Sequence, residues 1–193
     1  MECFILAGGQ SRRFGEDKIL FRIGRKRTVE YVIDTAKRVC DRVALVVKER
    51  EKFRDLGVEV LEDLLPDRTP LAGIFTALKS AEGSEALILG GDMPLIREEV
   101  LRLLMEEFKE PVTLFRTNGK VQTLVGIYSK GLTELMEEYM KMGGRSVIGF
   151  LEMVDFKAIP EEKAREADPD LVSFTNLNTK EDLETVLERI GWT

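Results

Sequence analysis

Short apolar runs and helix-period stripes alternate along the first half of the chain. Residues 3–6, 43–47, 58–61 and 86–89 are mostly apolar runs, each of a length that suits a buried strand. Between the first two, Val29, Val32, Ile33, Ala36 and Val39 recur at the helical period, which predicts a helix over 28–39 capped by Thr28. A short helix closing at Gly57 follows the second run. Another helix, ending near Ala81, follows the turn-rich stretch 66–73. Strand, helix, strand, helix, strand is the order of a parallel sheet wrapped by right-handed crossovers.

The second half changes character. A helix over 97–108 precedes two apolar runs, 112–115 and 123–128, that flank Asn118-Gly119, a strong hairpin signal. Leu132, Leu135, Met136, Tyr139 and Met140 line one side of a predicted helix over 131–142, and a shorter helix over 145–153 follows Gly143-Gly144. Residues 154–159 alternate as a strand does, and Leu183, Val186, Leu187 and Ile190 form the stripe of a last helix. The expected fold is α/β: a Rossmann-like three-layer α/β/α sandwich, with a mostly parallel central sheet and an antiparallel hairpin insertion.

Composition narrows this further. The 193 residues fit one domain, and 44% hydrophobic with 33% charged residues is a globular composition. No apolar run approaches the ~18 residues of a membrane span. The chain enters its first strand without the basic and apolar regions of a signal peptide, so a cytoplasmic location is expected. A net charge of −6 argues against a nucleic-acid coat and leaves Arg12, Arg13 and Lys18 as a local positive island. Cys3 and Cys40 read as small buried apolar residues. The chain has no histidine, which excludes an imidazole nucleophile, a triad built on imidazole and His-based zinc sites. With only three Asn and two Gln in the chain, Gln10, Asn118, Asn176 and Asn178 are positions to check for a role that charged residues could not fill.

The candidate chemistry starts where the first strand ends. Residues 6–18 hold three glycines, two arginines and a lysine directly after a buried strand, which is how α/β proteins build a phosphate site at the carboxyl edge of a sheet. Glycine lets backbone amides approach an anion, arginine forks onto phosphate oxygens, and lysine adds a point charge. The spacing fits neither a P-loop nor the Gly-x-Gly-x-x-Gly fingerprint. Asp63 and Asp92 follow the third and fourth strands, so Lys18, Asp63 and Asp92 are expected in one crevice. Asp92, between two glycines and a proline, suits Mg²⁺, which takes one or two carboxylates plus phosphate oxygens and waters. Asp63 could accept from the N–H groups of a guanine edge or from a ribose hydroxyl. Thr179 and Asp182 have the spacing of a capping box, which leaves Asn176 and Asn178 unexplained.

Four segments, Leu6-Ala7-Gly8-Gly9-x-Ser11-x-Arg13-x-Gly15-x-Asp17-Lys18, Pro70-Leu71-Ala72-Gly73-Ile74, Asp92-Met93-Pro94-Leu95 and Asn176-x-Asn178-Thr179-x-Glu181-Asp182-Leu183, occur in sequence order. In this order and spacing the chain resembles the molybdenum cofactor guanylyltransferases, the MobA family. The resemblance implies that Leu6, Ala7, Gly8 and Gly9 contact a guanine nucleotide, Lys18 its phosphates, Asp63 its nucleoside and Asp92 the Mg²⁺. It places Asn176 and Asn178 beside the pterin. GTP and molybdopterin, or the molybdenum cofactor, are the implied substrates, with cofactor-biosynthesis or molybdoenzyme assembly proteins as further partners and neither membrane nor nucleic acid among them. Lys18 and Arg13 would steady a departing pyrophosphate. On this reading residues 1–193 form a single nucleotidyltransferase domain, with a nucleotide-binding half over 1–96 and an acceptor-binding half over 97–193. Phe14, Lys48, Thr69 and Val121-Gln122 depart from the family pattern. The rival readings are a related nucleotidyltransferase with another acceptor phosphate (a cytidylyl pterin, sugar-phosphate or cobinamide-phosphate enzyme) and a non-catalytic nucleotide-binding regulator or assembly protein.

Overall fold

A computed structural model of the protein describes residues 1–8 and 17–191. In chain order the elements are β1 (Glu2–Leu6), β2 (Arg22–Ile23), β3 (Lys26–Arg27), α1 (Thr28–Ala36), β4 (Arg42–Val47), β5 (Glu59–Glu62), α2 (Pro70–Ser80) and β6 (Glu85–Gly90). There follow α3 (Glu98–Glu106), β7 (Val112–Thr117), β8 (Lys120–Ser129), α4 (Thr133–Lys141), α5 (Val147–Leu151), β9 (Lys157–Ile159), α6 (Glu161–Ala167) and α7 (Lys180–Arg189). A 3₁₀ turn, Arg50–Leu56, is the short helix expected before Gly57, which closes it in the left-handed region at φ 65°.

Seven strands form one sheet in the order β5-β4-β1-β6-β8-β7-β9. β5, β4, β1 and β6 are parallel neighbours, while β8 runs against both β6 and β7. The Asn118-Gly119 hairpin is thus part of the central sheet, and both its turn residues have positive φ, 50° and 70°, as a type I′ turn requires. Alternation along β1 sorts the core into two layers. Cys3 and Ile5 face α1, α3 and α6, whereas Phe4 faces α2, α4 and α5. That arrangement is the three-layer sandwich. A third, smaller cluster of Ile23, Leu177 and Val186 fastens α7 to the β2–β3 ribbon. Among the described residues no helix is long and apolar enough to cross a membrane.

Several boundaries differ from expectation. Arg27 is the N-cap of α1, where the Glu30 carboxylate accepts from the Arg27 amide at 2.7 Å and from its Nε at 3.1 Å, and Thr28 is the first helical residue. The buried Thr28 hydroxyl donates instead to the Phe21 carbonyl at 3.1 Å, because the β2–β3 ribbon leads straight into the helix. α2 starts at Pro70, four residues earlier than the turn-rich stretch indicated, because Thr69 caps it through the Ala72 amide at 3.2 Å and Pro70 needs no donor at the first position. Cys3 is fully buried and Cys40 half-buried against the same cluster.

Candidate active site

The carboxyl ends of β1, β4, β5 and β6 and the start of α2 surround one crevice of about 120 Å³. Backbone bonds across the sheet set this edge. Ala7 N–H donates to Val46 at 2.9 Å, Gly91 N–H to Leu6 at 3.0 Å and Asp63 N–H to Val47 at 2.8 Å. Each strand end is therefore held against its neighbour, and the residues that follow face the same space.

At the β6 end, the Lys18 ammonium donates to the Asp92 carboxylate in a short ion pair, each side chain being 16% exposed. Lys18 also donates to Asn178 Oδ1 at 2.7 Å, and the Leu177 amide donates to the Asp92 carbonyl at 2.8 Å. The segment before α7 is thereby fastened to the end of β6. Gly90 keeps the carboxylate free of crowding, since a Cβ there would sit 3.0 Å from Asp92 Oδ1 and 3.2 Å from Met93 Sδ. The capping box of Thr179 and Asp182 is present, and the Asn178 amide also donates to Asp182, at 2.9 Å.

At the β4–β5 end a second ion pair lies deeper. Lys48 Nζ is 2.8 Å from Asp63 Oδ2, with the two side chains 13% and 5% exposed. Lys48 donates as well to the Leu65 carbonyl. Asp63 Oδ1 accepts from the Thr76 hydroxyl at 2.6 Å and the Leu65 amide at 3.2 Å. Removing either charge would strand the other away from water, a cost of about 3–5 kcal/mol for buried pairs.

Lys18, Asp63 and Asp92 thus line a single crevice with Leu6 and Gly8, as the order of strands led one to expect. Ala7 borders the adjoining space beside Gly8, Lys48 and Arg68. Asn178 reaches the crevice through Lys18, whereas Asn176 is exposed and outside its lining. Gly9 and Arg13, with Arg12, lie outside the described residues. Two participants went unread in the sequence. Thr76 is a buried hydroxyl in an otherwise apolar helix, and that polar interruption was its signal. Arg68 lines the crevice and carried no signal beyond its charge.

No cluster of three or more Cys, Asp or Glu side chains suited to a metal occurs among the described residues. The donor set at the β6 end fits Mg²⁺ nonetheless. Asp92 offers one hard carboxylate oxygen in a partly exposed position at the strand end, and would hold Mg²⁺, an ion that takes one or two carboxylates together with phosphate oxygens and water. One end of the crevice can neutralise a polyphosphate, and the other presents a paired, nearly buried ammonium.

Residues 3–155 match the family model described as the MobA-like NTP transferase domain. A probable molybdenum cofactor guanylyltransferase of Aquifex aeolicus is 42% identical over 187 residues, covering 96% of this chain and 89% of that protein. The molybdenum cofactor guanylyltransferase of Desulfosudis oleivorans is 33% identical, covering 93% and 91% of the two chains. Among solved structures, molybdopterin-guanine dinucleotide biosynthesis protein A of Archaeoglobus fulgidus superposes with a TM-score of 0.86 over 100% of both chains, at 25% identity. The chain belongs to the family of MobA-like NTP transferase domains.

Proposed function

We propose that the protein transfers GMP from GTP to the terminal phosphate of molybdopterin, forming the guanine dinucleotide cofactor and releasing pyrophosphate in the cytoplasm. The observation that carries this reading is the Lys18 ammonium, which meets Asp92 after β6 and Asn178 before α7 at one point. It joins the nucleotide-binding half, 1–96, to the acceptor-binding half, 97–193. Leu6, Ala7, Gly8 and Gly9 lie against the nucleotide, Asp63 serves its nucleoside end, and Asn176 and Asn178 serve the acceptor. Asp92 holds a divalent cation, Mg²⁺, which when bound supplies positive charge to the α-phosphate.

The chain's own groups suffice for the remaining steps. A terminal phosphate with a second pKa of about 6 is ionised at neutral pH, so a chain without histidine needs no general base. One acceptor oxygen forms a bond to the α-phosphorus in line with the bond that breaks to the β-phosphate bridge. The electron pair leaves on pyrophosphate, where Lys18 and Arg13 meet the growing charge. Catalysis here is positioning and electrostatics.

The test is pyrophosphate release from GTP, ATP, CTP and UTP with Mg²⁺ and molybdopterin, with product analysis by mass spectrometry. A guanine dinucleotide product is expected from GTP. Preference for CTP, or turnover only with a sugar phosphate or cobinamide phosphate, would move the protein to a related transferase. Nucleotide binding without release on any acceptor would make it a regulator or assembly protein.

A further inference from the structure

The stretch that carries Asn176 and Asn178 to the crevice is fastened at two points to the stretch that leaves Asp92. At one, the Leu177 amide donates to the Asp92 carbonyl at 2.8 Å. At the other, the Arg97 amide donates to the Ser173 hydroxyl at 3.1 Å. Residues 92–97 and 173–177 therefore lie side by side in opposite directions, like two rails joined by two rungs. Thr175 and Asn176 span the interval between the rungs, and Asn178 follows the inner one.

Asp168, at the end of α6, builds the outer rung. Its Oδ2 accepts from the Ser173 amide at 2.7 Å, its carbonyl accepts from the Leu171 amide at 3.0 Å, and its Oδ1 lies 3.4 Å from Arg97 Nε. One carboxylate thus holds both rails, Ser173 through its backbone and Arg97 through its side chain. Leu171 takes φ 55° between Asp168 and Ser173, a left-handed conformation that leucine rarely adopts, and this turns the chain back toward the carboxylate. Phe174, the next residue after Ser173, packs edge-on against Phe115 of β7 with ring centroids 5.2 Å apart.

Stability alone is a poor account of this carboxylate. Asp168 is fully buried, and a buried charge costs free energy that its partners must offset. Here the offset is incomplete: Oδ1 is buried without a hydrogen bond among the described residues, since 3.4 Å is beyond the usual N–H···O range and Arg97 is 40% exposed. An asparagine would accept the Ser173 amide equally well without a charge. What the charge adds is a hold on Arg97, the N-cap residue of α3 and the far end of the rail that begins at Asp92.

We infer that Asp168 is a positioning residue for the acceptor: through Ser173 and Arg97 it fixes how the two rails lie together, and so where Asn176 and Asn178 stand beside Asp92. This rests on the guanylyl-transfer reading. Asp168→Asn is expected to raise the KM for molybdopterin about 10-fold with kcat held, the lower end of what losing an interaction with a charged group brings. GTP affinity measured by calorimetry without acceptor should stay within about twofold, because the strand ends of the sheet hold the crevice independently. Ser173→Ala removes one oxygen from the same rung and should raise the same KM by about 3- to 10-fold, which keeps the test open if Asp168→Asn does not fold.

The decisive comparison is a double-mutant cycle. In an N176A/N178A background, Asp168→Asn should weaken molybdopterin no further, because the groups it places are gone. Molybdopterin affinity is read by calorimetry as well as from turnover, so that background need not be active. A purely structural role would lower the melting temperature, weaken both substrates alike and persist in the background. An unchanged molybdopterin KM in both Asp168→Asn and Ser173→Ala, or an Asp168→Asn effect that adds in full to N176A/N178A, overturns the role of Asp168 alone. A wild type that releases no pyrophosphate from GTP with molybdopterin overturns the guanylyl-transfer reading, and this inference with it.

Discussion

Thr76 offers the sharpest link between fold and crevice. Its hydroxyl, 1% exposed in the middle of α2, donates to Asp63 Oδ1 at 2.6 Å and accepts from the Leu64 amide at 3.0 Å. Thr76→Val replaces that hydroxyl with a methyl group of nearly the same shape. Packing is kept, and Asp63 loses one of its three donors. The lost hydrogen bond to the charged carboxylate contributes about 1.5–3 kcal/mol. For a chain of this length that corresponds to a fall in Tm of about 3–12 °C. The Asp63 carboxylate, which serves the nucleoside end of the crevice, would also be held less firmly, raising the KM for GTP several-fold with kcat held. Thr76→Ser restores the oxygen and should recover most of both effects. Calorimetric melting and initial-rate kinetics on the three proteins decide the matter. If Thr76→Val melts within 1 °C of wild type and binds GTP unchanged, Asp63 does not depend on this hydroxyl and the reasoning fails.

Other perturbations probe separate parts of the molecule. Asp92→Ala should abolish turnover in a protein that still melts cooperatively, and Lys18→Ala should cut it by orders of magnitude; near-normal rates in either would remove that residue from the mechanism. Gly126→Ala would drive a Cβ to 2.2 Å from Leu114 Cδ2 and 3.1 Å from the Thr113 carbonyl, so about 1–3 kcal/mol should be lost in denaturant titration, and an unchanged midpoint would contradict the packing of β7 on β8. Hydrogen bonds from Lys157 and Lys163 hold the Glu107 carboxyl down to about 2. A depressed carboxyl stabilises fully above its ordinary value near 4.5 and loses that effect as pH falls through about 2. Glu107→Gln should accordingly differ from wild type in denaturant midpoint at pH 7 and converge with it in strong acid. A difference that persisted at every pH would assign the effect to packing.

The sheet was legible because its strands are buried on both faces. Phe4-Ile5, Leu45-Val46 and Ile88-Leu89 have no solvent side to mark with polar residues, so they read as unbroken apolar runs. The hairpin was legible because Asn118 and Gly119 adopt the positive φ that few other pairs accept. α6 was not, since its buried contact is the small Ala164 on seven residues and no stripe can be seen at that length. The capping of α1 was misread because the N-cap is Arg27, whose side chain caps no helix amide; Glu30 in the first turn accepts from the Arg27 backbone amide instead. In the crevice, Lys18 and Asp92 followed from strand ends alone. The pairing of Lys48 with Asp63 depends on register, Val47 lying against Glu62, and register is a tertiary fact that no local pattern carries.

The bond between Lys18 and Asn178 spans 160 residues of sequence. Chains are synthesised at about 5–20 residues per second, so Lys18 leaves the ribosome some 8–32 s before its partner exists. β1, β4, β5 and β6 can pair within that interval, and the sheet edge can form. The phosphate end of the crevice cannot be completed until Leu177 and Val186 have arrived to close the small cluster around Ile23. A nascent chain of this protein therefore carries a sheet well before it carries an assembled site, and translation stalled after β9 would yield a soundly paired sheet whose lysine has found one partner and still lacks the other.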